Sequence, residues 1–113
     1  MKTDRGWLTL FHAVDYDEGR GRNGWEETWK KRYTIGVMLL DLEDPAKRVG
    51  LALEPLMAPE ASYETDEGFR TNVLFPGGMI LEADGEVKIY YGGADTVECL
   101  ATASVDDLLS LVI

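Results

Sequence analysis

Gly85-Glu86-Val87-Lys88-Ile89-Tyr90-Tyr91-Gly92-Gly93-Ala94-Asp95 decides the fold, because Gly6-Trp7-Leu8-Thr9-Leu10-Phe11-His12-Ala13 has the same plan. Each stretch opens on glycine and sets apolar residues at alternate positions. Each then brings a ring-bearing polar residue (His12, Tyr91), a small residue and a nearby Asp. The similarity continues beyond both copies: Tyr33-Thr34-Ile35-Gly36-Val37-Met38-Leu39-Leu40-Asp41-Leu42-Glu43-Asp44 lies over Thr96 through Asp107. Alternation of period two is the pattern of a strand, and a strand-patterned unit used twice predicts a blade-type β repeat. Two blades cannot close a propeller, so the chain is expected to be a piece of something larger.

Outward from the repeat, Asn72–Leu81 and Glu86–Tyr91 flank Asp84-Gly85, a two-residue hairpin signal because the turn needs positive φ. Pro76-Gly77-Gly78 inside the first of these strands predicts a bulge, since proline gives the ladder no donor. Tyr33–Leu42 is a nearly continuous apolar run, which fits a strand buried on both faces, and Glu43-Asp44-Pro45 turns the chain after it. Val49–Leu53 reads as a short outer strand and Pro55–Pro59 as a linker. Val97–Ala103 reads as another buried strand, with Ala101, Thr102 and Ala103 allowing close packing. Ser104 is an N-cap candidate before an acidic first turn, so residues 105–112 are expected to form one short helix. Residues 15–32, rich in glycine and charge and carrying Trp25 and Trp29, read as a long loop of functional or interface type. The expectation is an all-β chain, one partial propeller region over residues 1–113, with a helical tail.

Composition narrows the function. A chain of 113 residues with 45% hydrophobic content can bury a modest core. A formal net charge of −10 argues against nucleic acid and anionic membranes as partners, because both need a positive surface. An anionic substrate would need local cations, and most of these fall in one stretch: Arg20, Arg22, Lys30, Lys31 and Arg32. A solvated loop is the plainer reading of that stretch. No apolar run reaches the length of a membrane span, and Met1-Lys2-Thr3-Asp4-Arg5 has no apolar signal region, so a cytoplasmic protein is expected. Cys99 is the only cysteine; no internal disulfide can form, and its apolar setting suggests a buried thiol.

His12, the only histidine, shares a strand face with Leu8 and Leu10 if alternation holds. It reads either as a hydrogen-bonded histidine at the edge of the core or as an anion contact at a strand end facing a channel. Asp95 follows Gly-Gly-Ala at the end of a strand, where small residues admit a ligand or another backbone; it can equally be a turn aspartate capping nearby amides. Tyr90 and Tyr91 must face opposite sides. Phe75 offers either a sugar-stacking face or ordinary core packing. A calcium loop is excluded. Asp15, Asp17 and Glu26 fit positions 1, 3 and 12, but Gly19 stands where an oxygen ligand belongs and Arg20 where the glycine belongs. No Cys/His cluster suits zinc, and neither a phosphate loop nor a nucleophile elbow is present.

Five stretches, in this order, resemble glycoside hydrolase family 130: Gly6–Asp15, Asn23-Gly24-Trp25-Glu26, Val37–Pro45, Phe75-Pro76-Gly77-Gly78 and Tyr90–Thr96. These are the β-mannoside phosphorylases, five-bladed β-propellers. The Trp-containing insertion after His12 points to the branch acting on 4-O-β-D-mannosyl-D-glucose. The resemblance covers essentially the whole chain but only the C-terminal part of the family's length. It implies inverting phosphorolysis, in which inorganic phosphate attacks the anomeric carbon of the mannosyl unit while an Asp protonates the leaving sugar. Because phosphate is the nucleophile, the carboxylate that activates water in an inverting hydrolase is dispensable. By motif, His12 would contact phosphate, Asp95 would bond the mannosyl hydroxyls and Phe75 would lie along the sugar site.

The resemblance implies no cofactor, only phosphate as co-substrate. The family's general acid and phosphate-clamping arginines belong to earlier blades, and their motifs do not occur in this chain. Loss of a general acid costs about 10²–10⁴ in rate, so the isolated chain is expected to be inactive. It is expected to self-associate, or to associate with the missing N-terminal blades, through a sheet face including Val37, Leu39, Val97 and Leu100. Two other readings stand beside the fragment: a non-catalytic carbohydrate-binding or assembly module, and a subunit completing its site with a separate N-terminal partner.

Overall fold

Both copies of the repeat form antiparallel sheets in the computed structural model, which describes residues 1–16, 31–65 and 72–112. The first sheet runs β1 (Lys2–Thr3), β2 (Gly6–Tyr16), β3 (Lys31–Leu40), β4 (Arg48–Leu51). The second runs β5 (Leu74–Leu81), β6 (Glu86–Gly93), β7 (Val97–Ser104). A four-residue helix α1 (Ser62–Thr65) lies between the sheets in sequence, and α2 (Val105–Leu111) comes after the second. The chain is therefore all-β with a short C-terminal helix.

The β2–β3 register is unbroken from Trp7↔Leu40 to Tyr16↔Lys31. It takes in Asp15, Tyr16, Lys31 and Arg32, which the charge pattern assigns to the loop. Asp15 and Arg32 are cross-strand neighbours, and the guanidinium donates from Nε and a terminal nitrogen to the two carboxylate oxygens at 2.9 and 2.5 Å. Pairing of opposite charges across the ladder extends the ribbon where apolar alternation has stopped. The remainder of the expected loop, with Arg20, Arg22, Trp25, Trp29 and Lys30, lies outside the described residues, as does the Asn23–Glu26 motif.

Alternation then selects the core. Leu8 points inward from β2, Ile35, Val37 and Leu39 from β3, and Val87, Ile89 and Tyr91 from β6. Helix α2 adds Leu108 and Leu109, with Val112 just beyond it, so the main cluster joins both sheets and the tail. The middle of β3 is buried on both faces, as its apolar run indicates. Val37 and Leu39 are expected from the sequence on an open face; they are 0% and 6% exposed, because α2 and the second sheet cover them.

Strand β7 corrects a second expectation. Among the described residues it pairs only with β6 and is an edge strand rather than a buried one, with Leu100 52% exposed. Ala101 and Ala103 pack on the main core cluster, and Cys99 on the smaller one, where it is half-buried. The hairpin at Asp84-Gly85 also differs from the two-residue form. Gly85 N–H bonds Glu82 C=O at 3.1 Å and Glu82 N–H bonds Glu86 C=O at 2.8 Å, which leaves Ala83, Asp84 and Gly85 as a three-residue loop. Only Gly85 has positive φ (89°), the arrangement of a turn followed by a glycine bulge. The bulge in β5 stands where proline and glycine place it, between Pro76 and Gly78. Ser104 caps α2 by accepting from Asp107 N–H.

Candidate functional site at the junction of the sheets

The sheets meet through backbone. Tyr33 of β3 forms a parallel bridge with Val73, its N–H bonding Asn72 C=O at 2.9 Å. This places the open end of β2 against the start of β5. Along the inward face of β2, burial falls from Leu8 through half-buried Leu10 to exposed His12, so the histidine stands where the core ends. Its ring lies 4.8 Å from Tyr33, tilted by 37°, and 5.0 Å from Phe75, edge-on at 69°. Phe75 is 58% exposed and is no core residue; part of its face is available for stacking.

Although His12 is exposed as a whole, partial desolvation of its ring lowers the pKa below its ordinary value, and the hydrogen bond with the Leu74 backbone only partly opposes this. A neutral imidazole at pH 7 supplies one N–H donor and one acceptor.

Asp95 sits in a turn closed by Thr96 N–H to Gly93 C=O at 3.0 Å. Both central residues, Ala94 (φ 52°) and Asp95 (φ 57°), are left-handed without being glycine. Such conformations cost of order 1–3 kcal/mol each and persist only where the surroundings fix them. Here Ala94 N–H bonds Val73 C=O at 2.8 Å, Thr96 Oγ1 bonds Ala94 C=O at 2.9 Å, and Ala94 is fully buried. The exposed Asp95 carboxylate is thus held by a rigid turn.

All three residues singled out in the sequence converge on the 72–75 segment. Phe75 touches His12, Asn72 holds the ring partner of His12, and Val73 holds the turn of Asp95. Tyr91 faces inward and Tyr90 outward, as alternation requires; burial, then the charge of Glu64, raises the Tyr91 phenol so that it stays protonated.

Two residues escape the sequence reading. Tyr33 is visible there only as the first residue of an apolar run. Glu64, 4% exposed, accepts the amides of Glu60 and Ala61 on Oε1, each at 3.1 Å. The geometry is the glutamate half of a capping box, reaching back over the first turn of a helix, but Ala61 stands where the Ser or Thr of the sequence signal belongs. Among the described residues no group of three or more His, Cys, Asp or Glu side chains could hold a metal ion. No described helix is long and apolar enough to cross a membrane.

The two-sheet β fold thus brings a histidine, an exposed aromatic face and a fixed carboxylate onto one short segment. The model of glycoside hydrolase family 130, described as beta-1,4-mannooligosaccharide phosphorylase, matches residues 1–113, and the chain belongs to that family. Among its relatives, the 1,2-beta-oligomannan phosphorylase of Thermoanaerobacter sp. (strain X514) is 36% identical over 96% of this chain and 31% of its own length. The 4-O-beta-D-mannosyl-D-glucose phosphorylase of Bacteroides fragilis is 34% identical over 96% of the chain and 25% of its own length. Among solved structures, the beta-1,2-mannobiose phosphorylase of Listeria innocua in complex with beta-1,2-mannobiose superposes with a TM-score of 0.78 at 32% identity. The match covers 99% of this chain and 28% of that one. The chain therefore spans less than a third of the length of these relatives.

Proposed function

We propose that these 113 residues form the C-terminal, two-blade portion of a five-bladed β-propeller that cleaves β-mannosides with inorganic phosphate, giving mannose 1-phosphate with inversion. The observation that carries this reading is the family match over the whole chain, together with the convergence of His12, Phe75 and Asp95 on one segment. In this reading His12 contacts the phosphate. Asp95 accepts from mannosyl hydroxyls; removing such a carboxylate leaves the hydroxyls unpaired and discriminates strongly against the sugar. Phe75 offers an apolar face to the ring. No cofactor enters. The general acid and the arginines that clamp phosphate come from outside these residues, so the chain alone gives no turnover. The mannosyl-glucose type of substrate is the reading favoured by the Trp-bearing stretch after His12, and the cytoplasm is the compartment we assign.

The test is complementation. The chain is coexpressed with the portion of a relative that it does not span, and phosphorolysis of mannosyl-glucose and β-1,2-mannobiose is followed by mannose 1-phosphate release. His12→Ala should raise the KM for phosphate and leave that for mannoside nearly unchanged, and Asp95→Ala should do the reverse. Equal effects on both substrates would show the roles to be wrong. Product released by the chain alone, and abolished by a mutation within it, would overturn the placement of the acid elsewhere.

A further inference from the structure

Glu64 has no part in the roles above, yet it is a carboxylate held in the interior. It is 4% exposed, and Oε2 is buried with no hydrogen-bond partner among the described residues. A buried carboxylate oxygen left unmatched is unfavourable, so its retention calls for a geometric reason. Helix α1 is a single turn, too short to hold itself by propagation, and the Glu64 carboxylate closes it by capping the amides of Glu60 and Ala61.

From this capped turn two paths lead outward. Glu64 C=O accepts Asn72 N–H at 2.6 Å, and Asn72 C=O accepts the N–H of Tyr33, the ring partner of His12. The second path is direct. A Cβ on Gly93 would stand 3.4 Å from Glu64 Cγ and 3.6 Å from Cys99 Sγ, so the glutamate stem lies against the residue that opens the Asp95 turn. The same 72–73 segment holds that turn through Val73 C=O and Ala94 N–H.

We propose that Glu64 is a positioning residue that sets the Asp95 turn and the Tyr33–His12 pair in one register. The inference rests on the reading of Asp95 and His12 as ligands of sugar and phosphate. Glu64 touches neither substrate; it acts through backbone. This role accounts for two features: a carboxylate in place of an apolar side chain, and a left-handed Ala94–Asp95 pair.

Amide hydrogen exchange on the 113-residue chain tests the positioning. Glu64→Ala should speed exchange at Ala94 and Tyr33 about tenfold or more, leaving the Val105 amide, bonded to Gly85 C=O at the other end of the second sheet, nearly unchanged. Glu64→Gln keeps the Oε1 acceptor and should restore the parent pattern; Glu64→Asp, one methylene short, should behave as alanine does. The aspartate variant serves if alanine fails to fold. Equal acceleration at all three amides, or none at Ala94 and Tyr33, overturns the proposal. In the complemented enzyme Glu64→Ala should raise the KM for phosphate and for mannoside together, with Glu64→Gln rescuing both. Unchanged KM values beside altered exchange also overturn it. If the complemented parent is inactive, the phosphorylase reading fails while the exchange result still decides whether Glu64 positions the turn.

Discussion

A single side chain, His12, carries two consequences of standing where the core ends. Burial disfavours its charged form, so its folded pKa lies below the unfolded value near 6.5. The unfolded chain then binds the proton more readily, and the stability linked to His12 is present above that value and lost as pH falls through the folded pKa. NMR titration of the imidazole should give a midpoint under 6.5, and His12→Phe should flatten this part of the stability profile. At Asp95 it is the backbone that is strained. Asp95→Gly relieves a left-handed aspartate and should raise unfolding stability by up to about 1 kcal/mol, measured by urea denaturation, while removing the carboxylate proposed for the sugar. A residue whose removal stabilises the fold is retained for something other than stability.

Elements show what alternation can and cannot reveal. Strand identity was legible, because side-chain period two is local: β2, β3, β5, β6 and β7 all fall where the pattern puts them, and the bulge in β5 is dictated by proline and glycine alone. Burial of whole strands was not. β7 looks like β3 in sequence, but one has a strand on each side and the other only β6, and that is decided by distant chain. In the site, the importance of His12, Phe75 and Asp95 could be read from residue type and strand ends. The clasp through Asn72 and Val73 could not, since backbone bonds between distant segments leave no mark on side-chain chemistry. Helix α2 combines the two cases: its cap was visible at Ser104, its covering of Val37 and Leu39 was not. Leu108→Ala should therefore cost about 2–5 kcal/mol and expose the face of β3, detectable as a lower denaturation midpoint with increased binding of a hydrophobic dye. Ser104→Ala should cost no more than about 0.5–1 kcal/mol by the same measurement, because its capping bond is long at 3.5 Å.

At the scale of the whole molecule, the outer face of the second sheet leaves an apolar surface open. Ile80, Tyr90 and Leu100 project there with Phe75, and β7 ends the sheet without a further partner among the described residues. Burial is worth roughly 25 cal/mol per Å², and charge repulsion beyond about 8 Å is screened at physiological salt, so a net charge of −10 should not keep copies apart. Light scattering across a concentration series should show association, and Leu100→Lys should suppress it; a monodisperse parent at high micromolar concentration would contradict this. The order of the strands bears on how fast the chain finds its fold. In each sheet every strand pairs with its neighbour in sequence, so the closures are local, the longest lying between Tyr16 and Lys31, and loop-closure entropy grows only slowly with that length. The β2–β3 and β6–β7 ribbons can form separately, leaving the Tyr33–Val73 bridge and the seating of α2 as the late, long-range events. Mutations within either ribbon should then alter the folding rate, whereas mutations in α2 should speed unfolding with little effect on folding.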